Sequence, residues 1–243
     1  MRSVAIIQAR MGSTRLPGKV LKDVGGQSVL ARVVRRAGRA TLLDDVAVAT
    51  SILSEDDVIA EDCIRLGVHC FRGDQADVLD RYYRAAQFCR ADVVVRITAD
   101  CPLIDPELAD NTIDEFIEQR PDYASNSLVP TYPSGLSVEV FTLVALQRAW
   151  REATQSYQRA HVTPYLYENP QLFSILSLTA EADYSRYRWT LDTEEDLETI
   201  RAIYQHFANR DTFNWRDALA LMERAPEVPL MNSHVRQKAL REV

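Results

Sequence analysis

The sequence predicts an α/β fold with a mostly parallel central sheet flanked by helices. Strand-like and helix-like runs alternate along residues 4–98. The run Val93-Val94-Val95-Arg96-Ile97 is almost continuously apolar, as in a strand covered on both faces. A glycine-bearing basic loop opens behind the first strand, at the edge where open α/β sheets hold ligands.

The elements follow in order. Strands are predicted over residues 4–7, 46–50, 68–71 and 93–98, and helices over 28–40, 55–66 and 76–89. Ser54 with Asp57, and Asp74, read as helix starts. Tyr82, Tyr83 and Phe88 read as helix packing. Arg32, Arg35, Arg36 and Arg39 read as the solvated face of the first helix. Beyond residue 120 the alternation gives way to turn-rich sequence with a β-like piece over 136–141. Residues 142–168 read as helix in two parts, 172–178 as strand and 194–207 as helix. One domain is expected over residues 1–243, with 125–180 as an insertion or dimerisation arm. The last dozen residues read as a loose or partner-bound tail.

Composition narrows the class. The chain has 243 residues, 47% hydrophobic and 26% charged, enough for one sizeable core. No apolar run approaches the roughly 20 residues that cross a bilayer. The first apolar stretch is shorter than a signal-peptide core of about 7–15 residues. A cytoplasmic protein without membrane insertion is expected. Cys63, Cys70, Cys89 and Cys101 show no C-x-x-C pair or zinc spacing and read as small core residues. A net charge of −7 argues against nucleic acid as partner. Against that acidic total, residues 1–40 carry nine Lys or Arg and one acid, Asp23, which suggests a small anionic ligand.

Three segments carry candidate chemistry. Residues 8–19 read Gln-Ala-Arg-Met-Gly-Ser-Thr-Arg-Leu-Pro-Gly-Lys and set Gly12, Gly18, Ser13 and Thr14 among the cations Arg10, Arg15 and Lys19. Glycine lets backbone N–H groups approach an anion, and the cations neutralise it. This is not a P-loop, because Gly12 and Gly18 are six apart and Val20, not Ser or Thr, follows Lys19. On spacing alone it is either a phosphate cradle or an ordinary basic βα loop. Asp100, in Thr98-Ala99-Asp100-Cys101-Pro102-Leu103, stands just past a buried strand as a site carboxylate or a turn aspartate. Asp192, in Arg188-Trp189-Thr190-Leu191-Asp192-Thr193-Glu194-Glu195-Asp196, again ends an apolar run. With Glu195 it also fits a helix N-cap. Together the segments suggest two carboxylates holding Mg²⁺ and a cationic loop holding a triphosphate.

The loop from Ala9 to Lys19 resembles the signature of sugar cytidylyltransferases. These include the 3-deoxy-manno-octulosonate and acylneuraminate enzymes, and the best resemblance is to the SpsF-type branch of spore coat polysaccharide biosynthesis. Further matching segments are Arg72-Gly73-Asp74, Asp77-Val78-Leu79-Asp80-Arg81-Tyr82, the segment around Asp100, Ser134 to Phe141, His161-Val162-Thr163-Pro164-Tyr165, and Trp189 to Leu197. The resemblance implies a Rossmann-like nucleotide-diphosphosugar transferase fold and transfer of CMP from CTP to a sugar, releasing pyrophosphate. It implies that Ala9, Arg10, Gly12, Ser13, Arg15 and Lys19 hold the nucleotide, with Arg10, Arg15, Lys19 and Asp100 serving catalysis. It also implies Mg²⁺ on Asp100 and Asp192, Arg72 and Arg81 in the nucleotide pocket, Glu139 and His161 toward the sugar, and a homodimer. Two departures stand out. Arg159-Ala160-His161 replaces the Arg-Glu-His expected of the branch, and Ala99 and Cys101 stand where octulosonate enzymes carry Gly and Glu. Arg72 also reads as a surface partner of Asp74 or Asp77, and His161 as a helix-start or core histidine. Two competing functions remain in view: a nucleotide-sugar-dependent glycosyltransferase and a non-catalytic nucleotide-binding subunit.

Overall fold

The computed structural model describes residues 1–237, so residues 238–243 of the expected tail lie outside the described part. Seven strands form the sheet among the described residues: β1 (Ser3–Gln8), β2 (Asp45–Ser51), β3 (His69–Gly73), β4 (Val93–Thr98), β5 (Tyr123–Ser125), β6 (Glu139–Thr142) and β7 (Ile175–Ser177). Their order is β3-β2-β1-β4-β6-β5-β7. The first four pair in parallel, β5 pairs in parallel with β7, and only β6 runs against its neighbours. The expected mostly parallel sheet is therefore present. The order reverses between β1 and β4, and Gln8 stands opposite Thr98 in register. The chain leaving β1 and the chain leaving β4 thus start side by side, at the switch point where such sheets open a crevice.

Both faces are buried, which explains the continuous apolar strands. Along β1, Ala5 and Ile7 join one core while Val4 and Ile6 join the other. The first core is closed by α1 (Val29–Ala37), α2 (Asp57–Leu66) and α4 (Pro106–Gln119). The second is closed by α3 (Val78–Phe88), α5 (Leu143–Glu152) and the short α7 (Pro164–Tyr167), with α6 (Ser156–His161) beside it. A third cluster lies outside the sheet. It joins Leu16, Leu136 and Trp189 to α8 (Glu194–His206), α9 (Trp215–Arg224) and α10 (Glu227–Leu230). Residues 125–180 supply β6 and β7 to the same sheet and α5 to α7 to its face.

Several sequence expectations shift. Arg35 and Arg39 are exposed, but Arg32 and Arg36 are fully buried. The two buried guanidiniums stack over the rings of Tyr204 and Phe213, each 4.4 Å from the ring centre. Arg32 also donates to the carbonyls of Val24 and Asn209, and Arg36 to that of Ile104. Arg32 is also ion-paired to the Asp211 carboxylate at 3.1 Å. Guanidiniums met in this way by carbonyls, a carboxylate and aromatic faces can leave water, so these residues join α1 to the C-terminal cluster. Helix α3 is capped by Asp77, while Asp74 forms the turn before it. Tyr82 and Tyr83 are buried as expected, whereas Phe88 is 56% exposed against His69 and Phe71. The four cysteines are free thiols. Among the described residues no helix is long and apolar enough to cross a membrane.

One glycine sets the approach of the last site segment. Gly135 has φ +104°, and a Cβ there would fall 2.5 Å from the carbonyl carbon of Trp189 and 2.6 Å from the amide nitrogen of Thr190. Its neighbour Ser134 accepts from the Trp189 N–H at 2.7 Å. Gly135→Ala is expected to cost about 2 kcal/mol and to lower the melting temperature by roughly 4–8 °C in a calorimetric scan.

Candidate active site

The loop after β1 is folded by its own backbone. Met11 accepts from the N–H groups of Ser13 (2.8 Å) and Gly18 (3.1 Å), pinching residues 11–18 into a closed turn. Gly18, at φ +67°, occupies the left-handed region that starts the 3-10 turn Lys19–Leu21. Leu16 anchors the turn in the third core. A buried carboxylate fixes its entry: Asp56 accepts from the Met11 N–H at 2.7 Å, and from the Ser51 N–H and hydroxyl at the end of β2. Nothing in the sequence marks Asp56, because its role depends on a contact with a loop 45 residues away.

The turn delivers Lys19 to the carboxylates of two other segments. Its ammonium donates to Asp100 Oδ2 at 2.6 Å, the Leu191 carbonyl at 2.8 Å and Asp192 Oδ1 at 2.8 Å. The Leu191 N–H donates to the Asp100 carbonyl at 2.8 Å, tying the two carboxylate segments together. Arg15 and Arg188 both reach Asp192 Oδ2 at 2.9 Å. Arg188 is fixed in turn by Asp196, fully buried, which also accepts from the N–H groups of Asp192 and Thr193. The N-cap of α8 is Thr193, with Asp196 completing its capping box. The predicted Asp192–Glu195 cap therefore moves one residue on, which leaves the Asp192 carboxylate for the site.

Burial opposes the Lys19 charge, yet the charges and hydrogen bonds of Asp100 and Asp192 hold its pKa above the ordinary value. Burial likewise pushes both carboxyls up, and the Asp100 charge adds to it at Asp192, but the charge and hydrogen bond of Lys19, with Thr98 at Asp100 and Arg15 at Asp192, together bring the balance down. Both lie below the usual carboxylate value. The depressed carboxylates therefore contribute stability above 3.8 that is lost as pH falls through their folded values. The raised ammonium contributes stability below 10.5 that is lost as pH rises past its folded value.

A cavity of about 750 Å³ opens over this cluster. Ala9, Arg10, Ser13, Arg15, Lys19, Arg81, Asp100, His161 and Asp192 line it, so most of the predicted site residues come together. Three do not line it. Gly12 sits in the turn with its α-carbon side toward Glu55. Arg72 pairs with Asp57, not Asp74 or Asp77, and donates to the carbonyls of Ser51 and Leu53, bracing the turn that carries Asp56. Glu139 is buried in an ion pair with Arg96 and accepts from the Tyr123 hydroxyl at 2.6 Å.

Further lining residues come from α3 and α6. Arg81 is 2% exposed and donates to the Asp74 carbonyl, while its Nε meets no acceptor among the described residues. Ser156, Ala160 and His161 come from α6. Arg159 turns away to Asp77 and to the carbonyls of Trp150 and Ala153. The sequence departure at residue 160 thus falls on the cavity wall itself. Next to it, Val162 has φ +72° and ψ −59°, and the Thr163 N–H bonds to the His161 carbonyl at 2.9 Å. This is a strained γ-turn, rare for a β-branched residue, and it sets where His161 leaves the helix.

The C-terminal segment also reaches the site: residues 232–237 of the stretch that reads as a loose or partner-bound tail pack back onto this chain. Asn232 is buried and donates to Asp196 and to the Arg188 carbonyl, both at 2.9 Å. Gln237 accepts from Arg188 at 2.5 Å and lines the cavity. No spacing or composition signal in the sequence points to either residue.

Comparison with known proteins identifies the chain. A cytidylyltransferase family profile matches residues 4–213. A protein of uncharacterised function from Methanocaldococcus jannaschii is 42% identical over 247 aligned positions, covering 100% of this chain and 99% of that protein. The spore coat polysaccharide biosynthesis protein SpsF of Bacillus subtilis is 35% identical over 228 residues, 91% of this chain and 94% of its own length. The solved structure of a cytidylyltransferase from Leptospira borgpetersenii serovar Hardjo-bovis superimposes with a TM-score of 0.91 at 33% identity, over 98% of this chain and 99% of that one. On a family profile covering most of its length and relatives matched end to end, the chain belongs to the cytidylyltransferase family, in a branch shared with SpsF, and is a nucleotidyltransferase.

Proposed function

We propose that the protein transfers CMP from CTP to a sugar for surface glycan biosynthesis, releasing pyrophosphate. One observation carries this reading: Arg15, Lys19, Asp100 and Asp192 meet at one end of the cavity, at the carboxyl ends of β1 and β4. Loop N–H groups, Ser13, Arg10 and Arg15 would hold the β- and γ-phosphates there. The cluster also fits Mg²⁺. Two carboxylate oxygens and one carbonyl oxygen converge on a single point, now filled by a cationic nitrogen, and hard oxygen donors are what Mg²⁺ takes. Asp100 and Asp192 would hold the ion, which when bound would offset charge on the α-phosphate.

The chain's own residues would do the rest. A hydroxyl or phosphate oxygen of the sugar attacks the α-phosphorus in line, a new P–O bond forms, the bond to the β-phosphate breaks, and a hydroxyl's proton passes to the pyrophosphate or to solvent. Arg15 and Lys19 stay with the departing pyrophosphate and neutralise the charge that builds on it. Arg81 lines the same cavity near enough to Arg10 to feel its charge and would help hold the nucleotide, while His161 would face the sugar. A cationic cavity suits an acidic or phosphorylated sugar, and Ala160 places no carboxylate against it. Glu139 would contact the sugar only if its pair with Arg96 opened.

Incubation with each nucleoside triphosphate, Mg²⁺ and a panel of acidic and phosphorylated sugars should release pyrophosphate with CTP. Release with UTP or GTP alone would reject the cytidyl assignment. Asp100→Asn is expected to lower the rate of pyrophosphate release by about 10²–10³-fold, the usual loss for one charge-stabilising group. Ala160→Glu sets a carboxylate on the sugar wall and should raise KM for an anionic sugar about tenfold, with KM for CTP little changed in the same assay.

A further inference from the structure

We propose that Lys19 plugs the cation position of the free protein, so that the divalent cation enters as its chelate with the nucleotide and not as the bare ion. This deepens the reading above and rests on Asp100 and Asp192 as the cation-holding pair. The geometry points to it directly. An ammonium has three N–H donors, and Lys19 spends all three, on Asp100, Leu191 and Asp192, within 2.6–2.8 Å. Those acceptors are the oxygens that would ligate a cation, so the side chain and the ion compete for one point. The plug is well seated, with the Lys19 side chain only 12% exposed.

A bare divalent ion therefore meets two obstacles. It must displace a fully bonded ammonium, and it approaches Asp192 with Arg15 and Arg188 already on the other carboxylate oxygen. A triphosphate removes the first and eases the second, since Arg15 can leave while Arg188 stays fixed by Asp196. It offers Lys19 and Arg15 a partner of higher negative charge, and their departure frees Asp100 Oδ2 and Asp192 Oδ1 for the ion it carries. The exchange involves no covalent step. Cation and nucleotide then favour each other's binding, a coupling that linkage makes reciprocal.

Mn²⁺ is a suitable probe, because its free concentration is read by electron paramagnetic resonance without turnover. Lys19→Met keeps the side-chain stem and removes the charge. It should bind Mn²⁺ alone about tenfold more tightly than the wild type while binding CTP more weakly, a pair of opposite shifts typical of site coupling. A folded Lys19→Met protein that binds Mn²⁺ no more tightly than the wild type would overturn the plug. Adding Asp192→Asn to Lys19→Met should abolish the gain. If tight Mn²⁺ binding persists in the double variant, the ion is held elsewhere, and the assignment of Asp192 as a cation holder fails instead.

A second measurement needs only the wild type. The chain has three lysines, Lys19, Lys22 and Lys238. Acylation of the free protein followed by mass spectrometry should label Lys22, whose side chain is 33% exposed, faster than Lys19, and CTP should change the Lys19 rate. Equal labelling of Lys19 and Lys22 in the free protein would refute the plug.

Discussion

The contact of Lys19 with Asp100 and Asp192 joins three parts of the chain that are 81 and 173 residues apart. Each part brings its charge there for a separate structural reason. The pinched turn at Met11 and the left-handed Gly18 aim the lysine. The register of β1 on β4 places Asp100 beside it. The close pass of residues 134–135 against 189–190 brings in Asp192. Without the ammonium, two carboxylates would face one another at a partly buried point, an arrangement that raises the pKa of at least one of them. The lysine makes this pair of carboxylates compatible with folding.

Around this contact lies a shell of charged groups that never reach the cavity. Asp56 holds the loop entrance, Arg72 braces the turn that carries Asp56, and Asp196 fixes the guanidinium behind Asp192. Every one of these carboxylates accepts several hydrogen bonds, as buried carboxylates must. They add little chemistry of their own. What they add is a fixed position for the loop after β1 and for the Asp192 carboxylate.

Much of this was legible in the sequence, and what was not has physical causes. Parallel strands buried on both faces leave continuous apolar runs, so β1, β2 and β4 could be read directly. The three-residue β5 is too short to leave any period. Arg32 and Arg36 look like a solvated face because four arginines follow one helix. Their burial depends on Tyr204 and Phe213, which no local pattern can reveal. Asp192 and Thr193 are adjacent cap candidates, and only the structure shows that the threonine caps α8. The loop and Asp100 stand out because they follow the buried strands β1 and β4, whereas Asp192 follows no strand and is marked only by the apolar run before it and by the family resemblance. Gln237 and Asn232 do not stand out, because they act through a fold-back with no sequence signature.

That fold-back bears on where the catalytic unit ends. The family profile stops at residue 213, but Trp215, Leu219 and Met222 cover Leu197, Ile200 and Tyr204, and Asn232 completes the bonding of Asp196. A fragment cut at the profile boundary would expose that apolar face to solvent and leave a buried carboxylate short of a donor. Residues beyond 213 are therefore part of the same folded unit in this chain. A different C-terminal sequence there would disturb the bonding of Asp196 and, through Arg188, the position of Asp192.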